Sequence, residues 1–298
     1  MAIQPAAATV RSGNAAILLA ATIWGTTGTA QSFVLDRTTP LSIGAARIVL
    51  GGLILLCLAL AMRRTELRDL LGADRGVRSR LLLAAGAVAV VIYQIAFFAS
   101  VARTGVVVGT VVTIGSGPVF AGLIAWARGR PQSARWAFAT AGAAAGCTAL
   151  VSGGDAAGVA PSGVVLALLS GLGYAVYATV AGHLIAGGAN DLAVIGSLFG
   201  GAGLLLVPVL TVSGTSWLGT TAGLSIAVYL GAVTTAGGYL LYARGLRTTS
   251  VPNATTLTMA EPAVAAVLGL VVLGEQLGPV ALAGLGLVAV SLLLLIRR

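Results

Sequence analysis

Ten apolar stretches follow one another along the 298 residues, each of about the length that crosses a lipid bilayer. They cover 14–34, 41–62, 81–101, 106–127, 134–152, 162–185, 192–212, 223–243, 251–273 and 278–296. A hydrocarbon core about 30 Å thick needs roughly 20 apolar residues of helix to span it. Lipid offers no partner for backbone N–H and C=O groups, so such stretches fold as helices that satisfy them internally. With 58% hydrophobic and 8% charged residues, the chain has too little charge for the surface of a soluble domain. The expected fold is an all-α membrane protein of ten transmembrane helices. The breaks at Arg103–Gly105 and Glu275–Leu277 are so short that the spans they join must form tight antiparallel hairpins.

The net charge of +9 is carried by arginine alone and follows topology rather than a nucleic-acid surface. With the N-terminus placed in the cytoplasm, 14 of the 17 arginines fall in cytoplasmic segments, 6 of them between 63 and 80. Only Arg37 and Arg103 fall outside, and Arg47 lies within the second span. Basic residues mark the cytoplasmic side, so both termini are predicted to be cytoplasmic. Trp126, Trp136 and Trp217 lie where an interfacial aromatic belt would place them, whereas Trp24 falls near the middle of the first span. Cys57 and Cys147 read as small packing residues without metal spacing. Gly142/Gly146 and Gly196/Gly200 are spaced for close helix contact within the chain. The first apolar stretch reads as a retained helix, since it has full spanning length and many more spans follow.

The two halves repeat. Trp24 aligns with Tyr174 at an offset of 150, and at an offset of 144 Arg103 aligns with Arg247, Thr104 with Thr248 and Pro118 with Pro262. Five spans per half is an odd number, so the halves, 1–157 and 158–298, must run oppositely through the membrane. Inverted repeats of this kind belong to secondary transporters, whose binding site lies near the midplane between the repeats. Gly117 stands opposite Glu261 and Pro131 opposite Glu275, so the acids themselves are not repeated.

Glu261 lies ten residues after Val251, about 15 Å along a helix and thus near mid-membrane. A carboxylate there is costly in lipid and should face a cavity or a partner. It either handles substrate or protons, or packs as a neutral, hydrogen-bonded group beside the kink at Pro262. At similar depth stand Trp24, Tyr93, Gln94, Tyr174 and, about one turn further, Tyr177. Aromatic faces stack on planar or cationic groups, and Tyr and Gln fix orientation by hydrogen bonds. The alternative for each is simple packing. Arg47, six residues into its span, either snorkels to headgroups or holds a carboxylate. Gly115, Gly117 and Pro118 in the fourth span, with Pro252 and Pro262 in the ninth, read as hinges or close-packing points. His183 reads as an interfacial side chain or a proton relay. No nucleophile elbow, phosphate loop or metal motif is present, so neither an enzyme nor a cofactor or metal is expected.

The segment GGYLLYARGLRTTSVPNATTLTMAEPAVAAVLGLVVLGEQL, from Gly237 to Leu277, resembles the second-half signature of the drug/metabolite transporter superfamily, EamA type. AATIWGTTGTA (Ala20 to Ala30) and AARIVLGGLILL (Ala45 to Leu56) extend the likeness across the chain. First halves of that superfamily often end the fourth helix with a Gly-Glu pair, where this chain has ARGRPQ. Within the superfamily the chain looks most like bacterial amino-acid exporters, including the aromatic amino-acid exporter group known as YddG. The resemblance implies two five-helix inverted repeats, alternating access and export of small metabolites from the cytoplasm across a bacterial inner membrane. Amino acids, aromatic ones included, are the first substrate expected; multidrug or other metabolite efflux on the same fold is the alternative. The lipid bilayer and a small molecule are the expected partners, with no nucleic acid.

Overall fold

A computed structural model describes residues 7–34, 36, 38–72, 76–151, 160–272, 274 and 278–296. Arg37, Arg75, Glu275, Arg297, Arg298 and the boundary between 157 and 158 lie outside the described residues. Every regular element among the described residues is helical: α1 (Ala7–Ser32), α2 (Pro40–Met62), α3 (Arg64–Leu71), α4 (Gly76–Ala127), α5 (Ala134–Val151), α6 (Pro161–Ala186), α7 (Asp191–Ser213), α8 (Thr221–Val228), α9 (Gly238–Gly245), α10 (Val251–Leu257), α11 (Ala260–Val272) and α12 (Pro279–Ile296). A π-helical stretch, Tyr229–Gly237, joins α8 to α9 in one span.

These elements form the ten expected spans. α4 holds two of them, Val77–Gly105 and Val108–Ala127, and the eighth and ninth are Thr221–Gly245 and Val251–Val272. Eight spans are long and apolar enough to cross a membrane on composition and length; α1 and α5 are less apolar. The third-to-fourth turn is made at Gly105, whose φ of 79° and ψ of 163° only glycine adopts without strain.

Three details differ from the sequence expectations. The stretch 63–80 is not simply a loop. It contains α3, whose Leu67 and Leu70 are buried beneath a charged face, and α4 already begins at Gly76. The ninth span is broken into α10 and α11 rather than bent. Trp217 is no membrane-belt residue: it lies 2% exposed in a short 3-10 turn, and its Nε1 donates to Ser42 Oγ at 2.9 Å. A polar ring nitrogen supplied with a buried partner removes the reason to sit at the lipid headgroups.

Packing is symmetric under exchange of the halves. α6 lies along both limbs of the α4 hairpin, and α1 lies along both the eighth and ninth spans. The second and seventh spans pack on each other, as do the fifth and tenth. The two glycine pairs serve these last contacts within the chain, Gly196 and Gly200 against α2 and Gly142 and Gly146 against α12. At Gly146 the approach is to backbone, because a Cβ there would meet the Gly284 carbonyl oxygen at 2.8 Å. Between lipid-soluble helices such backbone approach is a main source of attraction.

Candidate functional site

The site grows from two prolines four residues past a cavity-facing position. Pro262 has no N–H for the Thr258 carbonyl, so the Glu261 amide takes it instead at 2.9 Å. That shorter bond, with Met259 N–H to the Thr256 carbonyl at 3.0 Å, separates α10 from α11. Glu261 therefore occupies the first turn of α11 at the centre of its span. Pro118 stands likewise four residues beyond Ile114 in the related fourth span. Ile114 and Thr258, each four residues before its proline, both line one cavity.

That cavity is walled by Trp24, Arg47, Tyr93, Thr113, Ile114, Tyr174, Tyr177, Tyr239, Thr258 and Glu261. Its volume is about 40 Å³, room for a few water molecules at most. A larger ligand must widen it. The aromatic rings form one connected set. Tyr174 and Tyr177 lie 5.4 Å apart, Tyr93 is 6.0 Å from Tyr174, and Tyr177 is 6.2 Å from Tyr239. Tyr239 in turn lies 4.7 Å from Trp24 and 3.9 Å from Phe199. Two of their polar tips are anchored by threonines of the second half: Tyr174 Oη and Thr258 Oγ1 share a hydrogen bond of 2.7 Å, and Trp24 Nε1 donates to the Thr234 carbonyl at 2.8 Å.

Arg47 enters from α2. Its Nη2 donates to Gln94 Oε1 at 3.2 Å, while its buried Nε has no acceptor among the described residues. Gln94 is 1% exposed and stands behind Arg47, outside the cavity wall. Among the described residues the ion pairs are Arg63–Glu66 and Arg247–Asp191. Arg47 and Glu261 thus line one cavity without an ion pair between them.

Six of the seven residues expected at the site meet here: Trp24, Arg47, Tyr93, Tyr174, Tyr177 and Glu261. Of the five flexible points, Gly117 gives Tyr174 the space its ring edge occupies, and Gly115 lies on the same helix two residues earlier. Pro252 sits in the first turn of α10, where its missing N–H is no loss, and its carbonyl accepts from Trp136 Nε1 at 3.1 Å. His183 is exposed, 3.2 Å from Arg128, and is not on the cavity wall. Thr113, Ile114, Tyr239 and Thr258 also line the cavity and went unnoticed in the sequence. The spacing to Pro118 and Pro262 could have marked Ile114 and Thr258.

The sequence matches the EamA-like transporter family twice, over residues 11–152 and 161–297. The chain belongs to this family. It is a multi-pass membrane protein and a secondary transporter rather than an enzyme. YwfM of Bacillus subtilis (strain 168), described as an uncharacterized transporter, is 34% identical over 281 residues, covering 94% of this chain and 92% of that protein. YicL of Salmonella typhimurium (strain LT2), described as an uncharacterized inner membrane transporter, is 26% identical over 269 residues, 89% and 88% of the two chains. One crystal structure superposes with a TM-score of 0.79 over 97% of this chain and 96% of that one at 16% identity, a likeness of fold alone.

Proposed function

We propose that this EamA-family transporter exports amino acids, aromatic ones among them, across a bacterial inner membrane by alternating access. One observation carries the reading: a guanidinium and a carboxylate line the same small aromatic cavity and do not pair with each other. A zwitterionic amino acid supplies the missing partner to each. Its ammonium meets Glu261, its carboxylate meets the free Nε of Arg47, and its side chain stacks among Trp24, Tyr93, Tyr174, Tyr177 and Tyr239. Buried charges in a low-dielectric site discriminate strongly, since a ligand lacking either charge leaves a partner unpaired.

In this reading Gln94 acts behind the wall by orienting the guanidinium. The halves 1–157 and 158–298 rock against each other, both termini face the cytoplasm, and the weakened helix at Gly115–Pro118 and at Pro262 absorbs the bending. Pro252, at a helix start, contributes rigidity to that motion. Purified protein in proteoliposomes tests the substrate class. Radiolabelled phenylalanine, tryptophan, leucine and glutamate are compared with a lipophilic cation, with and without a pH gradient. Exchange of the aromatic amino acids is expected. Transport of the cation with no amino-acid exchange would replace this reading by multidrug efflux.

A further inference from the structure

The eighth span changes helical register where it passes α1. Over Tyr229–Gly237 it is a π-helix, and at its end the Gly238 N–H reaches the Val233 and Thr235 carbonyls. It passes over the carbonyl of Thr234, its partner in an α-helix. That carbonyl instead accepts the indole N–H of Trp24 at 2.8 Å, in a buried bond between residues 210 apart. α1 also holds the start of the π-helix, where Thr26 Oγ1 and Tyr229 Oη lie 2.7 Å apart. Gly238 leaves the space in which the indole sits; a Cβ there would collide with Trp24 Nε1. The next residue, Tyr239, is on the cavity wall.

We propose that Trp24 is a positioning residue for Tyr239: its indole N–H, by occupying the Thr234 carbonyl, holds the eighth span in the π register that sets the Tyr239 ring against the cavity. A buried carbonyl requires a donor. When the indole N–H is absent, the nearest replacement is the Gly238 N–H, and making that bond restores α-helical geometry. A change of register by one residue turns everything beyond it by about 100°. Tyr239 then leaves the wall, Gly238 comes into its place, and Leu241, which faced away, turns to within about 60° of that direction. π-helical turns inside α-helical spans recur at functional sites for this reason: they set side-chain directions that an α-helix cannot. Trp24 thereby sets cavity shape through a residue that follows the π segment it holds, in addition to lining the cavity itself. The inference concerns the ligand-free protein and does not depend on which molecule is exported.

Cysteine reactivity tests it. Tyr239→Cys and Leu241→Cys are made separately in a background with Cys57 and Cys147 replaced by alanine, and each purified protein is treated with the small reagent 2-aminoethyl methanethiosulfonate. With Trp24 intact, position 239 reacts and position 241 is slow. Trp24→Phe keeps an aromatic ring and removes the N–H. It is expected to lower the rate at 239 and raise that at 241 by about fivefold, the effect on an equilibrium of losing one ordinary hydrogen bond. Gly238→Ala displaces the indole and should give the same exchange. Where Tyr239→Cys does not purify, the rise at Leu241→Cys is decisive alone. A purely structural Trp24 would lower the melting temperature without moving reactivity between the two positions. Unchanged rates in both Trp24→Phe and Gly238→Ala, in monodisperse protein, would overturn the proposal. Failure of the amino-acid exchange assay would leave this test standing, since no substrate enters it.

Discussion

Glu261 donates its backbone N–H to the Thr258 carbonyl at 2.9 Å, the acceptor that Pro262 leaves without its usual partner. One substitution of backbone partners breaks the ninth span at its centre and brings two side chains to the cavity together. The carboxylate is in no ion pair among the described residues, at a depth where lipid exposure would be costly.

Removing the charge at Glu261 separates binding from folding. Glu261→Gln keeps volume and hydrogen-bonding capacity, so thermal stability should stay near that of the parent. Affinity for a transported amino acid should fall by about tenfold or more, the loss of a charge-assisted hydrogen bond. Glu261→Ala should lower both. Binding measured by calorimetry beside melting in the same detergent gives the two readouts. Parent-like affinity in Glu261→Gln would return the residue to a packing role at the kink.

Arg47 and Gln94 should act as a unit. Arg47→Lys retains the charge but loses the planar fork that reaches Gln94 and the cavity at once. It should weaken binding about tenfold or more. Gln94→Leu removes the acceptor of the Nη2 bond without touching the wall, and should weaken binding less. The double variant should cost less than the two singles together, because an ammonium in place of the guanidinium has no use for the Gln94 oxygen. Strict additivity of the three affinities would show that Gln94 does not work through Arg47.

How far the site can be read from sequence follows from depth and direction. Depth along a span is a residue count, and it put Trp24, Tyr93, Tyr174, Tyr177 and Glu261 at one level, where all five line the cavity. Direction around the helix was hidden, because spans that are apolar on every face carry no amphipathic stripe. Gln94 illustrates this. It adjoins Tyr93 in sequence, yet one residue is about 100° of helix, and it faces α2 rather than the cavity. Tyr239 was hidden twice over, since the π-helix before it alters the register by which its direction would be counted. The ten spans and the repeat were legible because lipid admits few other arrangements. The break in the ninth span was legible as a proline, while its position at Thr258–Met259 depends on which backbone donor replaces the lost one.

The close helix pair of the fifth and tenth spans offers a stability test away from the cavity. Gly146 and Gly284 meet backbone to backbone, so neither neighbour can yield by rotating a side chain. Gly146→Val should destabilise by about 1–3 kcal/mol through overpacking, seen as a lower melting temperature. Gly286, with nothing within 4 Å of its Cβ direction, should accept alanine with little change. Equal melting of the parent and Gly146→Val would mean that the pair is not packed as described.

Orientation is the last prediction, and it rests on arginine. The described basic residues of α3, the start of α4, the turn after it and the end of the eighth span belong to segments assigned to the cytoplasm, and Arg103 to the outer side. The inverted repeat requires related loops to lie on opposite faces, so a single labelling experiment tests both ideas. Gly72 ends α3, and Gly214 follows α7 with a φ of 93°. Gly72→Cys is to be made in a background without Cys57 and Cys147. It should react with an impermeant maleimide only in inside-out vesicles. Ser216→Cys, just past Gly214 and free of that glycine's backbone constraint, should react only in intact cells stripped of their outer barrier. Choosing this external position avoids replacing a glycine whose conformation disfavours a side chain. Labelling of both positions from one face would reverse the assignment of either α3 or the turn after α7, and with it the pairing of halves on which alternating access depends.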